Sequence, residues 1–261
     1  CTPEDALHFG STAEGSPDIL RALAVPSSVL LRDPRACRVL TITLRAPNPS
    51  KAVLATHRQK LGAADDNRIT VTLTADEIPS AGTKGEIAGG VRSWLAPSTF
   101  IQSDNPDIIK TARLITAQTG GDPVLAAMAI NHWVYATVKK VPTVSLPSAV
   151  DVLKQKEGDC NEHTYLFAAL ARAAGLPAKV MVGLVYHEGS FYYHAWPAVY
   201  VGRWLEMDPT FGQDAVDATH IALLEGELAD QMKLVGSLGQ LQIEIVEANY
   251  AEGPSQTGRD T

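Results

Sequence analysis

The chain has 261 residues, of which 45% are hydrophobic and 20% charged, and carries a net charge of −7. That length and apolar content suit one large domain or two small ones around a sizeable core. The acidic balance argues against nucleic-acid binding, which needs a basic face, and no apolar run reaches the roughly 18–20 residues that cross a bilayer.

The first 75 residues read as irregular chain and short strands. Arg38–Leu44 (RVLTITL) and Ile69–Leu73 (ITVTL) place β-branched and apolar residues at period two, which predicts strands, with Asp65-Asp66-Asn67 as the turn before the second. Residues 76–99 are rich in Gly and Pro and read as a linker or long loop. A helical pattern follows. Asn105-Pro106-Asp107 supplies a cap, a first-turn Pro and an acid, Ile108, Ile109, Ala112, Leu114 and Ile115 make an apolar stripe, and Gly120-Gly121 ends it. Asp122-Pro123 opens a second helix with Leu125, Met128, Ala129, Trp133 and Val134 inward. Ser148 caps a third short one through Lys156, with Val150 and Leu153 inward.

Gly158 breaks that helix, and Asp159 with Glu162 three residues on forms the capping-box pattern of a fourth, Ala- and Leu-rich and closed by Gly175. Strands are predicted at Lys179–Tyr186, Phe191–Val201 and Trp204–Met207, the last two joined around Gly202 as an antiparallel hairpin. A helix is expected near Ala218–Leu224, a further helical stretch at Leu228–Val235, a strand at Leu241–Val246 and a disordered tail over 251–261.

Three stretches carry chemistry: Gly158-Asp159-Cys160-Asn161-Glu162-His163, Tyr193-His194-Ala195-Trp196 and Met207-Asp208-Pro209-Thr210. Cys160 falls in the first turn of the fourth helix, where unpaired N–H groups and the helix dipole favour a thiolate, although Asp159 opposes it unless its carboxylate turns into the cap. His194 and Asp208 are an even number of residues apart across the hairpin, so an odd-length loop at Gly202 lets both project from one sheet face. A thiol, an imidazole and a carboxylate can attack an amide or ester carbonyl through an acyl-thiol intermediate. Each residue alone has a plainer reading: an inert thiol, a core histidine, a turn-forming aspartate. Together they fall in the order a triad requires.

GDCNEHTYLFAALARAAGLPAKVMVGLVY, YYHAW and MDPTFGQ…DATHIAL resemble the bacterial branch of the transglutaminase-like superfamily, relatives of papain-type thiol enzymes, over about residues 95–248. The resemblance implies an α+β fold: a papain-like core in which the nucleophile helix packs on an antiparallel sheet, preceded by a smaller β-rich region. It divides the chain into residues 1–95 (β-rich region and linker), 96–250 (catalytic domain) and the tail. It implies Cys160 as nucleophile, His194 as general base and acid, and Asp208 as the carboxylate that orients it. Glu162 reads as a helix cap, His163 as packing or a substrate contact, and Trp196 as a shield for the histidine or equally as core packing, with His163 and Trp196 both candidates for substrate binding. An oxyanion hole needs the Cys160 N–H and a second donor that no motif identifies; Trp133 reads as core and Gln155 is too close in sequence to judge.

The implied activity is a cysteine peptidase or amidase acting on peptide or glutamine amide bonds, with a protein or peptide as partner. The alternatives are amine transfer to glutamine (cross-linking), a non-catalytic binding or assembly module that keeps the fold, and an acetyl-CoA-dependent acetyltransferase, for which no coenzyme A feature is seen. No cofactor is expected: His187, Glu188, His194, Glu206 and Asp208 lack ligand spacing, and no Gly-rich phosphate loop occurs. Three cysteines make no disulfide framework, with Cys1 and Cys37 the pair that could bridge. Cys1, without a preceding Met, fits a trimmed chain or a bacterial lipid-attachment site, which puts a periplasmic, envelope or secreted location beside a cytoplasmic one.

Overall fold

A computed structural model describes residues 24–27, 29–80, 89–141, 148–227, 230–231 and 240–250. The expectations for Cys1 and for the tail lie outside these residues, as does most of the stretch at Leu228–Val235.

The described strands run in chain order β1 (Val25–Pro26), β2 (Cys37–Arg45), β3 (Gln59–Ala64), β4 (Arg68–Thr74), β5 (Lys139–Lys140), β6 (Glu157–Gly158), β7 (Ala178–His187), β8 (Ser190–Tyr200), β9 (Trp204–Glu206), β10 (Ile221–Glu225) and β11 (Gln242–Tyr250). Among the described residues four helices are of seven residues or more: α1 (Pro106–Thr116), α2 (Pro123–Thr137), α3 (Ala149–Gln155) and α4 (Cys160–Ala173). One antiparallel sheet has the order β1-β8-β7-β10, with β9 also on β8; a second has the order β11-β2-β4-β3. The fold is α+β.

Helix α4 packs on one face of the first sheet, and α1, α2 and α3 pack against α4. Leu166, Phe167 and Leu170 of α4 meet Val180, Val182, Val199 and Leu205 in one core. Each such side chain stabilises the fold by roughly 1.5–3 kcal/mol on burial. The second sheet packs Leu40, Ile42, Leu44, Ile69, Val71 and Leu73 against Leu184, Tyr186, Phe191 and Ile221 of the first. It takes β2, β3 and β4 from before residue 95 and β11 from after residue 240, in register from Gln242↔Arg45 to Tyr250↔Cys37. Pairing at that sequence separation leaves no local signal.

The helix caps follow the sequence. Asn105 accepts from the Asp107 N–H, Asp122 from Val124 and Leu125, and Ser148 opens α3 with Asp151 closing back on its N–H. The predicted apolar stripes need two corrections. Leu114 is 70% exposed and Leu125 48% exposed, because the buried faces are centred on Ile108 and Ala112 in α1 and on Val124, Ala127, Ile130 and Val134 in α2. The helix expected at Ala218–Leu224 is also corrected: Ile221–Glu225 is strand β10, paired with β7. Its Ala and Leu residues favour a helix locally, and two-sided burial against both cores overrides that preference.

Candidate functional site

Helix α4 starts where its sequence says it should. The Asp159 carboxylate accepts from the Asn161 N–H at 2.9 Å, and Glu162 accepts from the Asp159 N–H at 2.7 Å. Gly158 is required here: it sits at φ +157, and a Cβ would lie 2.3 Å from the Glu162 Cβ. The helix is buried continuously from Glu162 to Arg172, so its N-terminus, with Cys160 in the first turn, is held rigidly against the sheet.

Strand β8 is the other half of the site. β7 pairs with it from Ser190 to Val199, whereas its other edge meets β1 only at Ser190 and Phe191, and β9 from Ala198 to Tyr200. The Cys160 thiol lies beside the main chain of Ala195, the residue after His194, between those two short partners. Thr164, one turn along α4, donates to the Ala195 carbonyl at 3.1 Å and locks helix to strand.

The hairpin register Ala198↔Glu206 and Tyr200↔Trp204 sets Trp196, Glu206 and Asp208 on the same face as His194. His194 Nε2 donates to Asp208 Oδ2 at 2.7 Å, with His194 2% exposed and Asp208 fully buried. That leaves Nδ1 of His194 as the nitrogen available to a thiol. Asp208 Oδ1 accepts from the Thr210 and Phe211 N–H groups at 2.7 and 3.0 Å, and its backbone exchanges both hydrogen bonds with Gln213. The carboxylate is thereby fixed in position. Burial works against its charge, but His194 and then His220 hold it far below the usual carboxylate range.

Burial pushes the Cys160 thiol well above its ordinary value, and Asp159 adds to this even though its carboxylate is turned into the cap. A hydrogen bond from the Ala195 main chain works the other way without winning. The sulfur is therefore held as a neutral thiol. Glu162 is pushed up to about 9, first by burial and then by its contact with Asp159, so it is a neutral cap at pH 7.

The two candidates for substrate binding, Trp196 and His163, are both packed in the interior. Trp196 is fully buried, donates from Nε1 to Glu206 at 2.8 Å and stacks on His194 with ring centres 5.9 Å apart. Its ring covers one side of the imidazole. His163 is also fully buried, with its ring nitrogens on the main-chain carbonyls of Asp159 and Val138. Neither ring presents surface to a substrate.

Sequence reasoning missed a second imidazole. His220, immediately before β10, is fully buried and donates from Nε2 to the same Asp208 oxygen at 3.1 Å. Its signal was present in the DATHIAL stretch, where a helical reading of residues 218–224 concealed it. Among the described residues, His194, Asp208 and His220 bring ligand atoms within 4.8 Å of one another. The contacts are those of two imidazole N–H groups on one carboxylate whose other oxygen is also filled.

Residues 110–209 match the transglutaminase-like superfamily, a stretch that includes Cys160, His194 and Asp208 and stops before His220. The chain carries a transglutaminase-like core. Among solved structures, the core and its flanking sheet are similar to a candidate cysteine protease from Cytophaga hutchinsonii, at 18% identity over 82% of this chain and 85% of that one, with a TM-score of 0.52. At that identity the likeness shows a shared fold and nothing finer. Two further likenesses are more distant. The periplasmic domain of TgpA from Pseudomonas aeruginosa has 14% identity, covers 75% of this chain and 91% of that one, and gives a TM-score of 0.47. Red sea bream transglutaminase has 12% identity over 65% and 45%, with a TM-score of 0.34. No curated protein matches the chain.

Proposed function

We propose that the protein is a cysteine peptidase or amidase that cleaves peptide or glutamine amide bonds through an acyl-thioester on Cys160. The observation that carries this reading is the His194–Asp208 pair at 2.7 Å, on the strand whose next residue, Ala195, meets the Cys160 thiol. Asp208 fixes the Nε2–H tautomer, so Nδ1 is a base.

In this reading His194 Nδ1 takes the Sγ proton as the sulfur attacks the carbonyl carbon and the C–S bond forms. The oxyanion is met by the Cys160 N–H, which as a first-turn donor has no intrahelical partner. Collapse breaks the C–N bond, and the leaving amine or ammonia takes the proton from His194. Water then attacks the thioester, His194 accepts its proton, and the thiol is restored with release of the acid. Because the resting thiol is held neutral by burial, reactivity depends on His194 rather than on a pre-formed thiolate.

Iodoacetamide alkylation, followed by mass spectrometry of the Cys160 peptide at pH 6 to 9, tests this. Wild-type Cys160 is expected to react at least tenfold faster at pH 7 than Cys160 in His194→Ala, and Asp208→Asn to fall between the two. Equal rates in wild type and His194→Ala would refute the assignment of His194 as the base.

A further inference from the structure

Asp208 gives one oxygen to two imidazoles, and only one of them has a role in the proposed chemistry. His220 is the other. Its ring meets His194 at 5.7 Å and 61°, Trp196 at 5.2 Å and Phe211 at 6.3 Å, in a wall without solvent. On its far side Nδ1 lies 3.4 Å from Asp217 Oδ1, with no hydrogen bond made there. Asp217 is held in turn by the Arg35 guanidinium at 2.9 Å, the Gln213 amide at 2.8 Å and the Thr219 N–H and hydroxyl at 2.8 and 2.6 Å. Arg35 comes from the short turn before β2, spans the Phe211 ring at 5.0 Å and donates to the Tyr186 carbonyl.

This close approach is built into the sheet. Gly183 of β7 pairs with His194 on one side and Ala222 on the other. A Cβ at Gly183 would lie 1.9 Å from the Ile221 carbonyl oxygen. Only a glycine lets β10 come near enough for His220 to share the Asp208 oxygen.

Resting on the triad reading, we propose that His220, held by Asp217 and Arg35, is a positioning residue that carries a positive charge against Asp208 and so sets the pH range over which His194 works. The row Asp208–His220–Asp217–Arg35 alternates in sign, and burial makes each neighbour count. Burial alone would strip the His220 proton, but Asp217 and then Asp208 hold it above the ordinary imidazole range. With His220 charged, Asp208 divides its pull between two rings and binds the His194 proton less tightly. Of the other titratable groups near the site, α4 contributes the Asp159 carboxylate with Glu162 and the Cys160 thiol held neutral, and Glu206 is paired behind Trp196 with Arg58 at 2.7 Å.

The experiment is an NMR titration of the His194 ring nitrogens in the full chain, in a Cys160→Ala background that removes the thiol. The variants His220→Gln and Asp217→Asn are compared with that background. Gln keeps a donor near Asp208 but carries no charge, and Asn removes the partner that holds the His220 proton. His220→Gln should move the His194 titration upward by about one to two pH units, the order expected for losing a unit charge 5.7 Å away at an effective dielectric of about 20, and Asp217→Asn should move it less, because the lost carboxylate charge offsets the lost imidazolium charge. A role confined to packing would lower the melting temperature and leave the titration in place, and that result in folded His220→Gln, or a larger upward shift in Asp217→Asn than in His220→Gln, overturns the proposal. Equal alkylation of Cys160 in wild type and His194→Ala would instead remove the triad reading while leaving a shifted titration intact.

Discussion

Asp76 is the point where the amino-terminal part of the chain is fastened to the hairpin that carries the site. It follows β4, is 3% exposed, and accepts from His57 at 2.8 Å, Arg203 at 2.9 Å and the main-chain N–H of Glu206 at 2.9 Å. Burial works against its charge, yet the His57 and Glu206 hydrogen bonds prevail and hold the carboxyl at about 2 against an ordinary 3.8. At about 1.4 kcal/mol per tenfold change in proton affinity, that difference contributes about 2 kcal/mol of stability at pH 7. The folded-state value is the lower one, so the contribution is complete well above 3.8 and is lost as pH falls through 2: roughly half remains at pH 3 and little below pH 2. Asp76→Asn should therefore unfold in urea with about 2 kcal/mol less stability than wild type at pH 7. The gap should close to about 1 kcal/mol at pH 3. A gap that stays constant between these pH values would refute the electrostatic account and leave only a packing defect.

Two further outcomes are expected. Cys37 is fully buried, and burial with the nearby Asp217 charge pushes its thiol to about 11, so its peptide should stay unlabelled by iodoacetamide at pH 8 until urea unfolds the chain; labelling at a free-cysteine rate in the folded protein would contradict that burial. Glu162 titrates near 9 in the fold against an ordinary 4.5, so the wild type loses stability as pH rises between those values. Glu162→Gln keeps an acceptor for the Asp159 N–H and escapes that loss, so it should gain on wild type from pH 5 to pH 8 in urea unfolding, and a pH-independent difference would count against a protonated cap.

Local chemistry made much of this protein legible. The caps at Asn105, Asp122, Ser148 and Asp159 act within three residues of themselves, so they could be read without knowing the fold. The Gly202 turn permitted a parity that faces His194 and Asp208 the same way, and the pairing of β8 with β9 decided it. The burial of Trp196 and His163 was not legible, because an aromatic beside a reactive residue looks the same in sequence whether it lines a cleft or fills a wall. Nor was the inward turn of Val124 in place of Leu125, which depends on how α2 is rotated against its neighbours.

The sequence by itself determined where the elements begin, which helix carries the thiol and which strand the imidazole, since those depend on neighbours along the chain. The tertiary structure alone decided that β11 returns to pair with β2, that Ile221–Glu225 is a strand, and that Arg35, Asp217 and His220 converge on Asp208 from three separate segments. Such contacts are chosen by burial and charge compensation between distant residues. No window along the chain contains both partners, so no local pattern can announce them.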